Sequence, residues 1–417
     1  MANTFKFGTN GNWAVKDGYA LAYNDENNNF KPLPFDFTRA SSATTLNRQG
    51  LIETVPSGKP RIDFLDNTSG HLLLEPSRTN NLQRSEEFDN GYWNKSLISV
   101  TANDSVSPDG SVTADKIVSG NSTGNHFFRR TNLTYAATNN TFSVFAKFTD
   151  DLFEQFHFII YDGSNHSAYF DVKNGSVISA DSGITASMIN YGSGWYRCIA
   201  TYQTASTSVG QIKVELGSTS TITGDDTSGM LFWGMQFETG SYATSYIPTE
   251  GSSVTRVAER NSQGNLSNVL SSSGVLYTEI ELGESTTDTS SSNLRFSLSN
   301  NGSTNDWVFF GIESGDNLRT YVRASGSTTT DSTVDGVFPS AGTYKIAFRF
   351  DSNNTKVFVN GVQKSSDTSS TPPSNLNFFQ QGGGAAGASD IVETLKVIET
   401  RLYSTALTDT ELQNLTS

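Results

Sequence analysis

Short runs of alternating or wholly apolar residues recur along the chain, and clusters of Gly, Asn, Asp and Ser separate them. The clearest example is YKIAFRFDSNNTKVFVNGVQK (344–364), in which apolar and polar residues alternate between polar turns. A period of two places successive side chains on opposite faces of a strand, so this run predicts a three-stranded meander. The repetition of such runs predicts an all-β protein built from β-sandwich or jelly-roll modules.

Helical periodicity is nearly absent from the chain. The segment LTDTELQNL (407–415) is the clearest exception. In it, Thr408 is a candidate N-cap and Glu411 follows three residues later, which is the pattern of a capping box. The sequence therefore predicts a short helix in this segment.

The same pattern divides the chain into an irregular first part and two strand-rich blocks. Residues 1–82 contain few apolar residues, so we expect them to pack on another domain or another chain. Residues 83–250 hold aromatic-rich strands such as FHFIIYDG (156–163) and a predicted hairpin around Asn174-Gly175, a pair that can adopt the positive φ values of a primed turn. Residues 251–417 hold the meander and the short helix.

Charge narrows the classes of partner. The 417 residues include 28 Lys and Arg against 42 Asp and Glu, for a net charge of −14. Neutralising the phosphates of a nucleic acid requires clustered basic residues, so no nucleic-acid partner is expected. No apolar run approaches the roughly 18 residues of a membrane-spanning helix, so no membrane insertion is expected. The first residues lack the pattern of a signal peptide, which predicts synthesis in the cytoplasm.

Several motifs follow one another over residues 35–256. They are TRASSAT (38–44), GLI (50–52), PRIDF (60–64), LLLEPSRTN (72–80), SEEFDNGYW (85–93), SPDGSVTADKI (107–117), GWYRC (194–198) and FWGMQFETGSYATSYIPTEGSSVTR (232–256). In this order they resemble the modular virion proteins of tailed bacteriophages, such as fibres, spikes and other appendages. The resemblance implies that residues 1–34 are a virion-docking segment and residues 35–82 a connector. It also implies a virion location, contacts with other virion proteins and a homo-oligomer, for which we expect a homotrimer.

The two strand-rich blocks resemble sugar-binding modules. Residues 83–250 look like the jelly roll of a carbohydrate-binding module. Residues 251–417 are similar to laminin-G and concanavalin-A-like lectin domains through YKIAFRFDSNNTKVFVNG (344–361) and IETRLYSTALTDTELQNL (398–415). These resemblances imply β-sandwich folds and adhesion to bacterial surface glycans. A purely architectural capsid or tail decoration without ligand, and a depolymerase with appended binding modules, are the alternatives.

The chain shows no pattern of catalytic residues. A glycosidase needs two carboxylates that flank the bond, and adjacent acids on a strand point to opposite faces. None of the histidines lies beside a recognisable nucleophile motif; they are His71, His126, His157 and His166. We therefore predict that the protein is not an enzyme.

A structural calcium ion is the cofactor that the sequence leaves open. Jelly-roll binding modules often hold Ca²⁺ with oxygen ligands, and the loop at Asp225 and Asp226 is rich in them. Glu87 or Asp89 together with Gln236 forms a second candidate. Ordinary turn hydrogen bonding is the favoured account of both, and no Cys/His spacing typical of zinc is present.

Tryptophans are the first candidates for a glycan site, because sugars stack their CH faces on exposed aromatic rings. Trp195 and Trp233 lie in alternating strands and are predicted core residues. Trp93 and Trp307 are the predicted glycan-binding residues. Trp307 follows a polar turn in STNDWVFFG (303–311), which predicts that its ring is exposed.

Three arginines stand in weakly charged surroundings beside Thr or Pro, namely Arg39, Arg61 and Arg78. A guanidinium group carries five N–H donors and can hold several carbonyl groups together. Two interpretations are open at this point: the arginines tie irregular backbone together, or they are solvated surface residues.

Overall fold

The computed structural model describes residues 4–17, 19–24, 28–32, 36–150, 152–218, 221–267, 270–282, 293–383 and 394–417. The chain forms two compact units. The terminal unit contains residues 1–48, 55–77 and 257–417, and the central unit contains residues 49–54 and 78–256. No helix among the described residues is long and apolar enough to cross a membrane.

The strands before residue 78 are short, as expected for a region rich in turn residues. They are β1 Thr4–Phe7, β2 Trp13–Lys16, β3 Tyr19–Asn24, β4 Asn29–Pro32, β5 Asp36–Thr38, β6 Ala43–Leu46, β7 Ile52–Val55, β8 Arg61–Asp63 and β9 His71–Leu74. A 3-10 turn at Thr9–Gly11 joins the first two.

Longer strands fill the middle of the chain. They are β10 Arg78–Asn80, β11 Asn94–Ser96, β12 Ile98–Val106, β13 Val112–Ser119, β14 Thr123–Gly124, β15 Phe127–Tyr135, β16 Asn139–Phe148, β17 Gln155–Tyr161, β18 Asn165–Asp171, β19 Ser176–Ala180, β20 Ile184–Gly192, β21 Trp195–Gln203, β22 Ser208–Leu216, β23 Ile222–Thr223, β24 Gly229–Thr239 and β25 Val254–Arg256.

The last part of the chain adds further strands and a helix. They are β26 Arg260–Gln263, β27 Gly274–Leu282, β28 Asn293–Asn300, β29 Ser303–Glu313, β30 Asn317–Ala324, β31 Ser327–Val334, β32 Gly342–Phe350, β33 Thr355–Val359, β34 Val362–Asp367, β35 Phe378–Gly383, β36 Leu395–Tyr403 and α1 Asp409–Thr416. The predicted meander corresponds to β32–β34, and the helix begins at the predicted capping box of Thr408 and Glu411.

The terminal unit is a β-sandwich. One sheet has the order β34-β33-β32-β27-β36-β9-β8, with β1 also paired to β36, and the other has the order β31-β30-β29-β28-β35-β26-β5. Their inner faces share one apolar core, in which the rings of Phe310 and Phe348 meet edge to face across the two sheets at 6.2 Å. Helix α1 buries Leu412 against Tyr277 and Phe358 in a second, smaller cluster.

The first 77 residues contribute strands to both sheets of the terminal unit. The docking role predicted for residues 1–34 and the connector role predicted for residues 35–82 stay predictions. Strands β1, β8 and β9 join one sheet of the terminal unit, and β5 joins the other. Leu72 and Leu74 are fully buried in its core. A short strand that extends an existing sheet gains backbone hydrogen bonds and a ready-made apolar surface, so it needs few apolar residues of its own.

The central unit is a jelly-roll-like sandwich of two six-stranded sheets. Their orders are β11-β15-β22-β17-β18-β19 and β12-β13-β24-β16-β21-β20. Alternate residues of each strand enter a core dense in aromatic rings, where Phe156 and Phe232 meet across the sheets at 5.2 Å. The predicted all-β class with β-sandwich modules is confirmed.

Candidate functional site

Trp93 lies inside the central unit and is only 2% exposed. Its indole packs against Phe88 and Phe128, each with a centroid distance of 5.5 Å. A stacking platform needs an open ring face, so the structure gives no support to the glycan contact that the sequence predicted for this residue.

Trp307 is 7% exposed, whereas the sequence predicted an exposed ring. The prediction assumed that Trp307 directly follows a turn, but β29 begins at Ser303 and places Trp307 within the strand. Phe309 lies 4.5 Å away, and the Arg295 guanidinium lies 5.4 Å from the indole centroid. Neighbouring side chains on the same sheet face therefore cover this ring.

The predicted calcium ligands Asp225 and Asp226 take part in turn hydrogen bonds. Asp225 accepts from the backbone and hydroxyl of Ser228 and from the backbone of Thr227. The Ser228 hydrogen bonds hold the pKa of the Asp225 carboxyl well below its usual range. Asp226 accepts from the Asn121 backbone. These contacts account for the loop without an ion.

Gln236 and Glu87, from the second predicted calcium site, also have protein partners. Gln236 donates to Glu238 at 2.7 Å and accepts from the backbone N–H of Ile247 at 2.7 Å. Glu87 pairs with Arg84 at 2.5 Å. Within the part of the chain that the structure describes, no three His, Cys, Asp or Glu side chains gather as a metal site.

Arg39 and Arg61 lie in the interior of the terminal unit, not at its surface. Arg39 donates to the carbonyl groups of four residues, namely Ser41, Val55, Pro56 and Lys59. Both arginines also contact Glu259, and Arg61 contacts Glu75 at 2.8 Å. We call these four charged side chains, Arg39, Arg61, Glu75 and Glu259, the arginine cluster. Burial alone would lower the pKa of Arg61, but Glu259 and Glu75 raise it above its ordinary value.

Arg78 lies in the central unit, where β10 pairs with β25. Its guanidinium stands 5.5 Å from the ring centroid of Tyr242. A Cβ atom at Gly240 would come within 2.9 Å of Arg78 Nε, so the glycine leaves room for this arginine against the loop after β24.

The outer face of one central sheet carries a different set of groups. Along β17, Phe156, Phe158 and Ile160 enter the core, so His157, Ile159 and Tyr161 point to the opposite face. Strands β15, β22 and β18 add the neighbouring outward residues. We call this surface the open face and define it by Phe127, Arg129, Tyr161, Tyr169, Gln211 and Lys213.

Tyr161 is the exposed aromatic residue of the open face, with 38% of its surface accessible. Its register partners are Asn165 on β18 and Gln211 on β22, so two amide side chains flank the ring. A Cβ atom at Gly210 would lie 2.2 Å from the Tyr161 carbonyl oxygen and 2.4 Å from the Tyr135 ring. Gly210 therefore permits the close strand approach that positions Tyr161.

The other aromatic rings of the open face, those of Tyr169 and Phe127, pack against neighbouring side chains. Tyr169 stacks on His157 with a centroid distance of 4.7 Å, and burial lowers the pKa of His157. The imidazole is therefore a neutral, flat support at neutral pH. The Phe127 ring lies 4.9 Å from Lys213 Nζ and 5.4 Å from the Arg129 guanidinium.

A buried carboxylate fixes the cationic part of this face. Glu215 has a side chain only 1% exposed and lies 2.5 Å from Lys213 Nζ. Asn125 donates to its other oxygen at 2.8 Å. The face thus presents aromatic rings, amide groups and cations in a fixed arrangement that suits stacking and hydrogen bonding.

Sequence reasoning missed Tyr161 because it considered only tryptophans as stacking platforms. The signal was present in QFHFIIY (155–161), where the period of two assigns Tyr161 to the face opposite the phenylalanines. Exposure of that face could not be read from the segment alone.

Solved structures similar to this chain have low TM-scores. The CBM40 module of the Ruminococcus gnavus IT-sialidase is 16% identical, covers 36% of this chain and 84% of its own, and has a TM-score of 0.28. Domain 4 of an extracellular arabinanase from Geobacillus stearothermophilus, solved with arabinotriose, is 18% identical, with coverages of 43% and 84% and a TM-score of 0.30. Domains LG4-5 of the mouse laminin α1 chain are 10% identical, with coverages of 67% and 89% and a TM-score of 0.24.

No curated protein sequence matches the chain. Residues 284–413 match the family model of the concanavalin A-like lectin/glucanases superfamily. For this part of the chain, the predicted similarity to concanavalin-A-like lectin domains is confirmed.

Proposed function

We propose that the central unit binds bacterial surface glycans through the open face and that the protein is a non-enzymatic adhesion component of a tailed-bacteriophage virion. The observation that carries the glycan proposal is the exposed ring of Tyr161 between Asn165 and Gln211. A sugar ring that stacks on Tyr161 would place its equatorial hydroxyl groups within reach of amide donors and acceptors.

The charged groups of the open face add hydrogen-bond donors. Arg129 and Lys213 lie beside the Phe127 ring, which supports them without neutralising their charge. Gln211 Oε1 accepts a hydrogen bond from Arg129 Nη1 at 3.4 Å. Gln211 therefore lies between Tyr161 and the cationic groups of the open face. These groups favour a polyhydroxylated ligand that extends across several strands over a small apolar ligand.

The virion assignment rests on the ordered motifs of residues 35–256 and their resemblance to phage appendages. A homotrimer belongs to the same proposal. A single sugar site is weak, and several copies on one particle raise the avidity without any new contact. Mass spectrometry of purified particles tests this part, because a virion protein is recovered in a fixed ratio to the other particle proteins.

The non-enzymatic part of the proposal follows from the chemistry of the open face. Hydrolysis of a glycosidic bond needs two carboxyl groups across a gap of roughly 5–10 Å. The carboxylate beneath this face, Glu215, is buried and paired with Lys213. We expect incubation with bacterial polysaccharide to release no reducing ends, and sustained release would establish the depolymerase alternative.

Replacing Tyr161 with Ala should weaken glycan binding at least about tenfold, or about 1.4 kcal/mol, because the stacking surface is lost. Binding is measured on an array of bacterial lipopolysaccharides and capsular polysaccharides with the intact chain. Tyr321→Ala is the matched control, since Tyr321 is a half-buried tyrosine on a strand of the terminal unit. We expect it to bind as the unaltered protein does.

Each other outcome has a definite meaning once both variants show unchanged thermal unfolding. Loss of binding in Tyr321→Ala alone would contradict the open face and move the site to the terminal unit. Failure of the unaltered protein to bind any polysaccharide would favour the architectural alternative.

A further inference from the structure

Three side chains with metal-binding atoms converge beside the turn between β17 and β18 in the central unit. Asp162 begins this turn, His166 is the second residue of β18, and Tyr202 lies on β21 in the other sheet. His166 Nε2 is 3.2 Å from Asp162 Oδ1 and 2.9 Å from Tyr202 Oη. Tyr202 Oη is 3.0 Å from Asp162 Oδ2.

These spacings fit a shared metal ion as well as they fit hydrogen bonds. Donor atoms at about 2.0–2.2 Å from one ion, the usual range for Zn²⁺ with nitrogen and oxygen ligands, are about 2.8–3.5 Å from each other. The three groups therefore need little rearrangement to face a common centre. We propose that Asp162, His166 and Tyr202 form a site for a first-row transition-metal ion of the Zn²⁺ class.

The local structure holds the site open and in place. The His166 and Tyr202 rings stack at 4.3 Å with an interplanar angle of 27°, so Nε2 and Oη point the same way. The side chains of His166 and Asp162 remain 21% and 20% exposed, which leaves a path for an ion from solvent. Positions not filled by protein atoms would be taken by water.

The donor set also selects among ions. An imidazole nitrogen suits Zn²⁺, Cu²⁺ and Ni²⁺, whereas Ca²⁺ and Mg²⁺ prefer sites made of oxygen atoms alone. An ion bound to Oη replaces the phenolic proton, which is released to solvent.

This inference is separate from glycan binding. Asp162 directly follows Tyr161 in the chain, but the site consists of other side chains and needs no sugar. Metal affinity measured without polysaccharide therefore succeeds or fails independently of the proposed function.

The test is calorimetric titration of ZnCl₂ into the full chain without a histidine tag at pH 7.5. We expect one equivalent of Zn²⁺ to bind and MgCl₂ and CaCl₂ to give no heat at this site. His166→Ala and Tyr202→Phe should each weaken Zn²⁺ binding at least about tenfold. This is the lower end of the range of affinity losses found when groups around a metal ion are replaced. Ser164→Ala, which changes an exposed side chain of the same turn and keeps the backbone N–H that contacts Asp162, should bind as the unaltered protein does.

Two results would overturn the site. One is an unaltered protein that takes up no Zn²⁺, and the other is an isotherm that is the same in the unaltered protein and in both ligand variants. Circular dichroism melts of each variant show whether the fold is intact. Tyr202→Phe keeps the ring that stacks on His166, so a loss of affinity in that variant reports on Oη itself.

Discussion

Replacing Glu259 with Gln will lower the free energy of unfolding of the terminal unit by about 3–5 kcal/mol, because it removes one partner of a buried ion cluster. Oε1 of Glu259 lies 3.0 Å from Arg39 Nη1 and 2.8 Å from Arg61 Nε, and Oε2 accepts from the Glu75 backbone at 2.6 Å. The side chains of Arg39, Arg61 and Glu259 are fully buried. In the variant, two buried guanidinium groups face Glu75 as the remaining carboxylate of the arginine cluster.

The measurement is differential scanning calorimetry of the intact chain, in which each unit can give its own transition. Asp331→Asn is the matched control in the same unit, since Asp331 pairs with Arg319 at 2.8 Å but has a side chain 45% exposed. Solvent screening limits that exposed pair to about 0–1 kcal/mol. Equal effects of the two substitutions would show that the arginine cluster does not hold the terminal unit together.

The arginine cluster also shows how far local sequence reasoning can reach. The surroundings of Arg39 and Arg61 suggested that they could tie backbone together, and the structure shows them donating to backbone carbonyl groups. Their shared acid could not be foreseen, because Glu259 is 220 residues beyond Arg39 in the chain. A pattern of neighbours contains no information about such a distant pair.

Elements defined by local periodicity and capping were predicted most accurately. The alternation in residues 344–364 gave the meander, and the spacing of Thr408 and Glu411 gave the start of α1. Both features depend on residues within a few positions of each other. The sheet partners of the strands in the first 77 residues could not be read from local patterns, because these strands pair with β26 and β36, far along the chain.

Exposure was the least predictable property of the candidate site. Trp307 and Tyr161 both lie on the outward side of an alternating strand, yet they are 7% and 38% exposed. The difference comes from the adjacent strands, since Arg295 on β28 and Tyr321 on β30 cover Trp307. Which side chains lie next to an outward ring depends on sheet order and register, and the period of two does not encode either.

The terminal unit should lose stability as the pH falls from 6.5 towards 4, and His71 supplies a distinct part of that loss. The His71 side chain is 2% exposed, and burial lowers its pKa from 6.5 to about 4. Asn67 donates its amide N–H to Nδ1 at 2.7 Å, so the neutral imidazole carries its proton on Nε2. Asp63 at 3.7 Å and Glu281 favour the charged form and Lys396 opposes it, but burial outweighs them.

The sign follows from proton linkage. Below pH 6.5 the unfolded chain binds a proton at His71 that the folded chain does not bind until about pH 4, so falling pH stabilises the unfolded state relative to the folded state. The difference between these values corresponds to about 3 kcal/mol once the pH is below both, at about 1.4 kcal/mol for each tenfold step. The contribution is present above pH 6.5 and is lost across this window.

Other groups also titrate between pH 6.5 and 4, so the contribution of His71 is isolated by comparison with His71→Gln. This variant removes the imidazole and keeps a hydrogen-bonding side chain. The transition to follow is the one that Glu259→Gln shifts, because it belongs to the terminal unit. We expect the unaltered protein to lose stability between pH 6.5 and 4 more steeply than His71→Gln, whatever the offset between them at pH 7. Parallel curves would mean that the folded protein protonates His71 as readily as the unfolded chain does, which burial beside Asn67 and Lys396 is expected to prevent.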